Sequence, residues 1–545
     1  MKRNILYILG ALLLTAGGVS CSNFLNEYSQ NATYIESVDD LDELLLGGAY
    51  LDKTPPLASL IIGTLNYTTT GANQFVYLHL LADESREAIV PFTGYNASAP
   101  TWYQLRGIWS WNEYPFTDAI DTPYIDKDWA NFYTRISVIN NVIGASISYD
   151  FTEKEQTALA RVRGEAYFLR AWNYFMLANI YGTPYDKDNL NDGASVTLKI
   201  SEKIVEDKFF RSNTGDVYRQ IVSDLKDAIA WFGQGDSAKS KYYGSADAAY
   251  ALLSRVYLYM EEYQLAIDAA NKVSGYMLFN LAGNYTAGSG NSFLTVDSPE
   301  VIFGQGFYST PIVHKGTHEY DSNNLPIMYG ASYSVSSELE QMFDDNDMRY
   351  SAFFTRSYGE GLLVSRKNRQ VLYNVSETDP VTGAPVPVAA GGASFNESSS
   401  LRYAEVLLNK AEAQACLGDA AAATTIAPLL DARYLVPPTV PSGGEQLITF
   451  IRNERRKELC FEGHRWFDLR RYAVNKVAPY TTQIRHDYTV IENDVATTPG
   501  YYTLASYSEA TRGSWMLPVP DEVLDFNFPN ITNPDRKAGV SLTNY

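Results

Sequence analysis

The chain of 545 residues is poor in cysteine, histidine and basic side chains. Three cysteines and five histidines, with no CxxC pattern or Cys/His cluster, give no indication of structural zinc or of a disulfide framework. Lys and Arg number 43 against 63 Asp and Glu, so the formal charge is −20. An acidic surface of this kind repels phosphate backbones. We therefore expect no nucleic-acid partner.

Long apolar runs are also missing. The run at residues 5–14 is too short to span a bilayer, and no later stretch reaches the roughly 18 apolar residues that a spanning helix needs. The run follows two basic residues and precedes small residues and Cys21, which predicts a lipoprotein signal peptide over residues 1–20. Gly18 replaces the Leu or Ile usual in such signals, and an ordinary secretory leader is the alternative. We expect a lipid on Cys21, a mature charge of −22, and a protein anchored to a membrane.

Aromatic residues, in contrast, are abundant. Tyr, Trp and Phe make up 13% of the chain, with 41 tyrosines and 8 tryptophans. An apolar fraction of 46% is typical of a folded protein with a sizeable core and excludes general disorder. Rings of this kind either fill that core or present flat apolar faces with polar edges to a ligand.

Helical periodicity organises much of the chain. Thr152–Glu155 has the pattern of a capping box, and a stripe follows at Val162, Ala166, Leu169, Trp172, Met176 and Ile180. Further helical blocks cover residues 247–273 with a break near 260–263, 403–434 with a break at 417–419, and 445–474. These pairs resemble tetratricopeptide units without a fixed period of 34 residues. We predict a mainly α fold of tetratricopeptide-like helix pairs.

The helix pairs are separated by segments rich in turn formers. We predict a helical scaffold at about 150–275 and 401–475, and loop-rich insertions at about 50–130 and 280–400. Strand-like runs at 301–304 and 371–375 indicate small β elements within the insertions. No clean boundary divides the chain, so residues 21–545 are expected to form a single domain.

Four motifs and the start of the mature chain carry a family resemblance. The motifs are RGEAYFLRAW at 163–172, LRYAEVLL at 401–408, RNERRKEL at 452–459 continuing to DLRR at 468–471, and LPVPDE at 517–522 near Asn533-Pro534. Together with the CSNFL sequence at 21–25, they resemble the SusD/RagB family of Bacteroidetes. The resemblance extends from the leader to the last thirty residues.

The resemblance implies a fold, a function and a location. It implies a right-handed superhelical scaffold of helix pairs on a cell-surface lipoprotein of the outer membrane. Members of this family capture nutrients, usually glycans, for a SusC-like TonB-dependent transporter, over which they act as a lid. The resemblance therefore implies binding of an oligosaccharide or polysaccharide without catalysis and without a cofactor. The alternatives are a surface glycoside hydrolase, a peptide-binding protein, and a purely structural subunit of the transporter complex.

The charged segment from Glu454 to Arg471 admits two interpretations. Glu458, Glu462, His464 and Asp468 could form an acid/base cluster. Glu454 and Glu458, spaced i, i+4, could instead lie on one helix face and pair with the abundant arginines. We favour the ion-pair network because arginines would hold these carboxylates ionised.

The candidate ligand-binding residues are aromatic residues in the insertions. A sugar ring offers C–H groups to an aromatic face and hydroxyls to polar neighbours. Two segments combine aromatic with Asn or Gln residues, and they give the candidates Trp102, Tyr103, Trp111, Tyr114, Tyr308 and Tyr320. Trp109 is a weaker candidate, and the alternative is that Trp109 and Trp111 together begin a packed helix that leads to Trp129 and Tyr133. A metal role for His314 and His318 has little support because no HExxH pattern accompanies them.

Overall fold

The structure is a computed structural model. It describes residues 35–51, 75–88, 105–118, 121–203, 208–281, 293–306, 314, 319–320, 326–327, 333–356, 362–365, 367, 395–492 and 495–545. The α-helices of this part are α1 Val38–Gly48, α2 Arg106–Trp109, α3 Asp128–Ser148, α4 Gln156–Tyr181, α5 Thr214–Phe232, α6 Ala246–Tyr259, α7 Tyr263–Ala270, α8 Ser337–Glu340, α9 Arg349–Phe353, α10 Tyr403–Cys416, α11 Ala421–Arg433, α12 Gly444–Glu458, α13 His464–Val474 and α14 Asp521–Asn527.

The scaffold consists of packed helix pairs, and the predicted fold class is confirmed. Helix α4 is buried over most of its circumference and packs against α3 and α5. Gly164 allows the close contact with α5, because a Cβ there would lie 2.6 Å from the ring of Phe232. The pairs α6–α7 and α10–α11 also form, and α7 packs on α10.

The local helix signals are placed as predicted. Glu155 accepts a hydrogen bond from the backbone N–H of Thr152 at 2.9 Å in a capping box at the start of the helical segment that continues into α4. The predicted breaks separate α6 from α7 and α10 from α11. Gly418 adopts φ +73° in the second break, a conformation that glycine tolerates without steric cost.

The predicted block at 445–474 is not continuous. It divides into α12 and α13, with Phe461 at φ +57° and Gly463 at φ +76° between them. A Cβ on Gly463 would lie 2.6 Å from Ser398 Oγ, so the chain can turn this closely only at a glycine. The helical periodicity on both sides of the turn conceals it in the sequence.

Small antiparallel sheets flank the helices. The strands are β1 Ser85–Glu87, β2 Val301–Gly304, β3 Glu319–Tyr320, β4 Pro326–Ile327, β5 Tyr333–Val335, β6 Phe354–Arg356, β7 Leu363–Ser365, β8 Ser400–Arg402, β9 Ile484–Glu492, β10 Val495–Leu504 and β11 Val540–Asn544. The pairs are β1–β5, β2–β8, β3–β4 and β6–β7, and a three-stranded sheet has the order β11-β10-β9. The strand predicted at 301–304 is confirmed as β2, whereas 371–375 lies outside the described residues. The three-stranded sheet was not predicted.

A buried ion-pair network joins α12 to its neighbours. One oxygen of Glu458 lies 2.6 Å from Arg402 Nη1 and 2.9 Å from Arg433 Nη2. The other oxygen accepts from Arg433 Nε at 3.0 Å and lies 3.4 Å from Arg349 Nη1. All four side chains are shielded from solvent. The ion-pair interpretation of this segment is therefore confirmed, and it connects α12 to β8, α9 and α11.

The arginines hold the Glu458 carboxylate ionised. Burial raises the pKa of Glu458, but Arg433, Arg402 and Arg349 lower it well below its usual range. Glu454 pairs with Arg349 at 2.7 Å, which confirms that both glutamates of the i, i+4 pair reach the same arginine. Glu300 adds a third carboxylate, 2.5 Å from Arg433. These groups are satisfied by one another, so they act as structural contacts.

The two described cysteines are both free thiols. Cys460 is buried and Cys416 is partly buried. Burial raises the pKa of Cys460 to about 12 and that of Cys416 to about 11. Cys21 lies outside the described residues.

Replacing Glu458 with glutamine should strongly destabilise the fold. The Glu458→Gln variant keeps the side-chain shape but leaves Arg402, Arg433 and Arg349 short of a counter-charge. The expected loss is about 3–5 kcal/mol in the free energy of unfolding, the usual cost of removing one partner from a buried pair. Urea unfolding at pH 7 measures it.

An exposed ion pair supplies the control for this experiment. Glu509 pairs with Arg512, and the Glu509 side chain is 77% exposed. The Glu509→Gln variant should unfold at the urea concentration of the unmodified protein. A loss below about 1 kcal/mol in Glu458→Gln would contradict the structural role of the network.

Candidate functional site

The segment 105–118 lies against β9, the edge strand of the three-stranded sheet, which we call the C-terminal sheet. Its short helix α2 bonds to the backbone of strand β9. Trp109 Nε1 donates to the carbonyl of Asp487 at 2.9 Å, and Arg106 Nη2 donates to the carbonyl of Thr489 at 2.9 Å. Arg106 also pairs with buried Glu87 at 3.0 Å, which attaches the segment to β1. These bonds satisfy strand-edge carbonyls and fix the position of the segment.

A histidine stacked between two tryptophans anchors this segment. The ring of His486 lies 3.7 Å from the ring of Trp109 and 4.1 Å from that of Trp111, with interplanar angles of 7° and 18°. Trp111 Nε1 donates to the carbonyl of Leu81 at 3.0 Å. All three rings are buried, and Trp111 has φ +48°. The strained backbone at Trp111 turns its ring inward and the following residues outward.

The prediction that Trp111 contacts a ligand is contradicted by this burial. A ring with 0% exposure has no surface open to a sugar. Trp109 is equally buried, in agreement with the alternative in which it belongs to a packed helix. Both tryptophans instead stack on His486, a histidine that is distant in sequence.

Tyr114 is exposed to solvent on a tightly folded loop. Its side chain is 61% exposed. Gly107 N–H donates to the carbonyl of Thr117 at 3.1 Å, and a Cβ on Gly107 would lie 2.5 Å from Thr117 Oγ1. Thr117 Oγ1 donates to the carbonyl of Tyr114 at 2.9 Å, and Tyr114 N–H donates to Asn112 Oδ1 at 3.2 Å. The loop can therefore expose the tyrosine without losing its own backbone hydrogen bonds.

The chain that enters β11 holds the same loop from the other side. Lys537 Nζ lies 2.7 Å from Glu113 Oε2, and Arg536 Nε donates to the carbonyl of Asn112 at 3.3 Å. Tyr114 is thus an exposed ring with a carboxylate, an amide and an ammonium group beside it. This combination suits a ligand with an apolar face and hydroxyl groups at its edge.

The remaining predicted ligand residues are not placed by the structure. Trp102, Tyr103 and Tyr308 lie outside the described residues. Tyr320 belongs to β3, opposite Pro326, but its side chain lies outside what is described. Their roles stay predictions.

His314 is a packing residue. It is buried, its Nε2 lies 3.3 Å from Ser85 Oγ, and its Nδ1 accepts from the backbone of Ser365 at 3.3 Å. Burial lowers its pKa to about 3. Within the described ranges, no three His, Cys, Asp or Glu side chains converge on a common metal position.

A polar cleft of about 510 Å³ opens at the amino-terminal end of α5. Its lining residues are Leu198, Arg211, Ser212, Asn213, Asp216, Arg219 and Gln220. No aromatic ring contributes to this lining, so it lacks the flat face that a sugar ring needs. Arg211 donates hydrogen bonds to the carbonyls of Tyr181 and Ser195, each at 3.1 Å.

Comparison with known proteins identifies the family. A family model described as "Starch-binding associating with outer membrane" matches residues 51–258, and a "SusD family" model matches residues 388–535. The first range includes α4, and the second includes Glu458 with its partners Arg402 and Arg433. The chain belongs to the SusD family.

Relatives in sequence and in structure agree with this assignment. SusD-like protein P2 of Formosa agariphila is 26% identical over 400 residues, covering 66% of this chain and 74% of the relative. A SusD-like carbohydrate binding protein of Bacteroides vulgatus is similar in fold, with a TM-score of 0.61 at 19% identity over 91% of this chain and 98% of the other. A laminarin binding SusD-like protein has a TM-score of 0.58 at 20% identity, with 92% and 100% covered.

The C-terminal motif of this SusD-family chain is part of its scaffold. The two parts of the C-terminal motif meet, because the amide of Asn533 donates to the carbonyl of Val519 at 2.9 Å and accepts from its N–H at 2.8 Å.

In the described part, no helix combines the length and the hydrophobicity needed to cross a bilayer.

Sequence reasoning missed His486 and Lys537. Strand alternation from Ile484 to Glu492 could have indicated the strand that carries His486. No local signal could have indicated the contact of Lys537 with Glu113, since the two residues are far apart in sequence. His486 acts on the loop of Tyr114 through Trp109 and Trp111, and Lys537 acts on it through Glu113.

The protonation of His486 makes the stability of this site depend on pH. Burial lowers the pKa of His486 to about 4, while the backbone carbonyls of Trp109 and Ala82 raise it. These carbonyl oxygens lie 2.8 Å from Nδ1 and 3.0 Å from Nε2. With a folded pKa below the ordinary value of about 6.5, the unfolded chain takes up the proton first as pH falls.

Stability supplied by neutral His486 should therefore decline between about pH 6.5 and pH 4. The stability difference between the unmodified protein and His486→Gln should be largest near pH 7 and shrink by up to about 3 kcal/mol across this window. Urea unfolding of both proteins at several pH values measures the difference. A difference that widens on acidification would show that the two carbonyls hold a charged imidazolium in the folded state.

Proposed function

We propose that the protein binds a glycan at the cell surface and delivers it to a SusC-like TonB-dependent transporter. The observation that carries the proposal is Tyr114, an exposed ring on a loop fixed by the His486 stack. A ring held in place loses little conformational entropy when a sugar stacks on it. Trp102, Tyr103, Tyr308 and Tyr320 are proposed to contribute further aromatic contacts.

A neutral glycan fits the charge of the protein best. The chain carries a net −20, which disfavours polyanionic ligands. Beside Tyr114, the charges of Glu113 and Lys537 offset each other, and Asn112 adds an amide. The match to a starch-binding family and the likeness to a laminarin-binding protein support a glucan as the first ligand to test.

Capture without catalysis is part of the proposal. Glu458, Glu462 and Asp468, the described acids of the suspected cluster, are buried and paired with arginine or lysine. A glycosidase needs one carboxyl group with a raised pKa beside another that is ionised, both open to the substrate. These three carboxylates do not meet that requirement.

Glycan binding should depend on Tyr114. With soluble protein beginning after Cys21, calorimetry against laminarin and soluble starch should give saturable binding, and an assay for reducing ends should detect no product. Tyr114→Ala should weaken binding roughly tenfold, equivalent to about 1.4 kcal/mol of lost stacking.

Tyr149 offers a matched control, since it is a tyrosine with 50% exposure at the end of α3. Tyr149→Ala should bind as the unmodified protein does. Product formation would instead assign the protein to the glycoside hydrolases. Failure to bind either laminarin or soluble starch would refute glucan capture by this protein alone. It would favour a peptide ligand or a structural role in the transporter complex.

Membrane attachment is proposed to occur through lipid on Cys21. An anchor confines the protein near its transporter and raises its effective concentration there. In cells labelled with palmitate, the unmodified protein should carry label and be found in the outer-membrane fraction with a TonB-dependent transporter. Cys21→Ser should lose both the label and the co-purification.

Cys416→Ser is the control for lipidation, because Cys416 is a partly buried free thiol in α10. This variant should retain label and partner. Persistence of label in Cys21→Ser would disprove the anchor, and absence of a transporter from the labelled protein would disprove the delivery step.

A further inference from the structure

The three-stranded sheet has a buried patch on one face and an exposed patch on the opposite face. Ile484, His486 and Leu504 are buried on the inner face. Strand alternation places Arg485 and Asp487 of β9 on the opposite face. Tyr501 pairs with Asp487 on one side and with Thr543 on the other, so these residues share that outer face.

The outer face carries a compact aromatic cluster. We call it the tyrosine face and define it by Arg485, Asp487, Tyr501, Thr543 and Tyr545. Tyr545 is 70% exposed, and Arg485, Asp487 and Thr543 are also exposed. The rings of Tyr501 and Tyr545 lie 5.6 Å apart at an angle of 53°.

Polar contacts hold the two tyrosines in place. The guanidinium of Arg485 lies 3.8 Å from the ring centre of Tyr501 and 5.4 Å from that of Tyr545. Arg485 Nη2 lies 3.0 Å from Asp487 Oδ1, and the hydroxyl of Tyr545 donates to the same oxygen at 3.0 Å. These mutual contacts restrict the side chains, and such restriction lowers the entropy that a ligand would have to remove on binding.

We propose that the tyrosine face is a second binding surface, which takes a neutral oligosaccharide segment. The exposed ring of Tyr545 can cover the C–H face of one sugar. Arg485 can donate to hydroxyls at its edge, and Asp487 and Thr543 can accept from them. This inference rests on the proposed function, since it assigns a further contact for the same class of ligand.

The composition of the face argues against other occupants. Its one arginine and one aspartate are paired, so its side chains carry no net charge that would attract a phosphate or an acidic peptide. Tyr501, Tyr545 and Thr543 supply hydroxyl groups to this surface, whereas a peptide side chain is usually anchored in an apolar pocket. Neutral hydroxylated rings match both properties.

The tyrosine face and Tyr114 belong to one rigid unit. Trp109 bonds to the edge of β9, and His486 on the inner face of β9 anchors the loop that carries Tyr114. Lys537, just before β11, pairs with Glu113 beside Tyr114. Two contacts on a rigid unit increase the retention of a long chain, because binding at the second contact becomes intramolecular.

The test compares a long and a short glucan on defined variants. The double variant Tyr501→Ala/Tyr545→Ala removes both rings, and Arg485→Gln keeps both rings but removes the charge. Tyr149→Ala/Tyr480→Ala is the matched control, because these tyrosines are 50% and 47% exposed elsewhere on the surface. Circular dichroism and thermal unfolding confirm that each protein is folded.

Native gels containing laminarin or soluble starch measure retention, and calorimetry with laminarihexaose and maltohexaose measures stoichiometry. The unmodified protein should bind two hexasaccharides, and the double variant should bind one. Whichever of the two polymers binds should retard the double variant roughly tenfold less than it retards the unmodified protein. It should retard Arg485→Gln to an intermediate degree. Tyr114→Ala should keep the site on the tyrosine face.

Each other outcome has a distinct meaning. Binding by the double variant equal to that of the unmodified protein would overturn the tyrosine face and leave the proposed function intact. An equal loss in the Tyr149→Ala/Tyr480→Ala control would overturn it as well, because the effect would not be local. Absence of binding by the unmodified protein would overturn both the proposed function and this inference.

Discussion

The pairing of buried charges around Glu458 is the constraint on which the architecture depends. Its carboxylate receives Arg402, Arg433 and Arg349, which come from β8, α11 and α9. A buried ion pair adds little net stability over well-packed apolar residues, but an unmatched charge is very costly. The network therefore penalises every arrangement in which these elements do not meet. The turn at Gly463 belongs to the same constraint, since it brings Glu462 within 2.8 Å of Arg402.

A scaffold fixed in this way can carry exposed aromatic residues at its surface. His486, between Trp109 and Trp111, attaches one loop to the C-terminal sheet, and Lys537 holds that loop from the other side. The result is a tyrosine that is open to solvent on a backbone with satisfied hydrogen bonds. Aromatic residues thus serve two purposes here, since buried tryptophans position a tyrosine that is proposed to contact the ligand.

The helical part of the fold was predictable because its signals are local. The capping box at Thr152, the apolar stripe of α4 and the breaks before α7 and α11 depend on neighbours a few residues apart. The division of α12 from α13 was missed because the helical pattern continues across Gly463. The place of β11 in the C-terminal sheet was missed for a different reason, since β10 and β11 are separated by a long segment that contains α14.

The sequence by itself determined the family, the helix pairs and the prediction of a lipoprotein leader. It also indicated that the clustered acids from Glu454 to Asp468 would pair with arginines, because charge and spacing are visible in the chain. Tertiary structure alone decided which aromatic rings are buried. Trp109 and His486 are 377 residues apart, and their contact places Trp111 in the core while Tyr114 remains exposed. Burial depends on partners that are distant in sequence, so neither composition nor periodicity could distinguish these two rings.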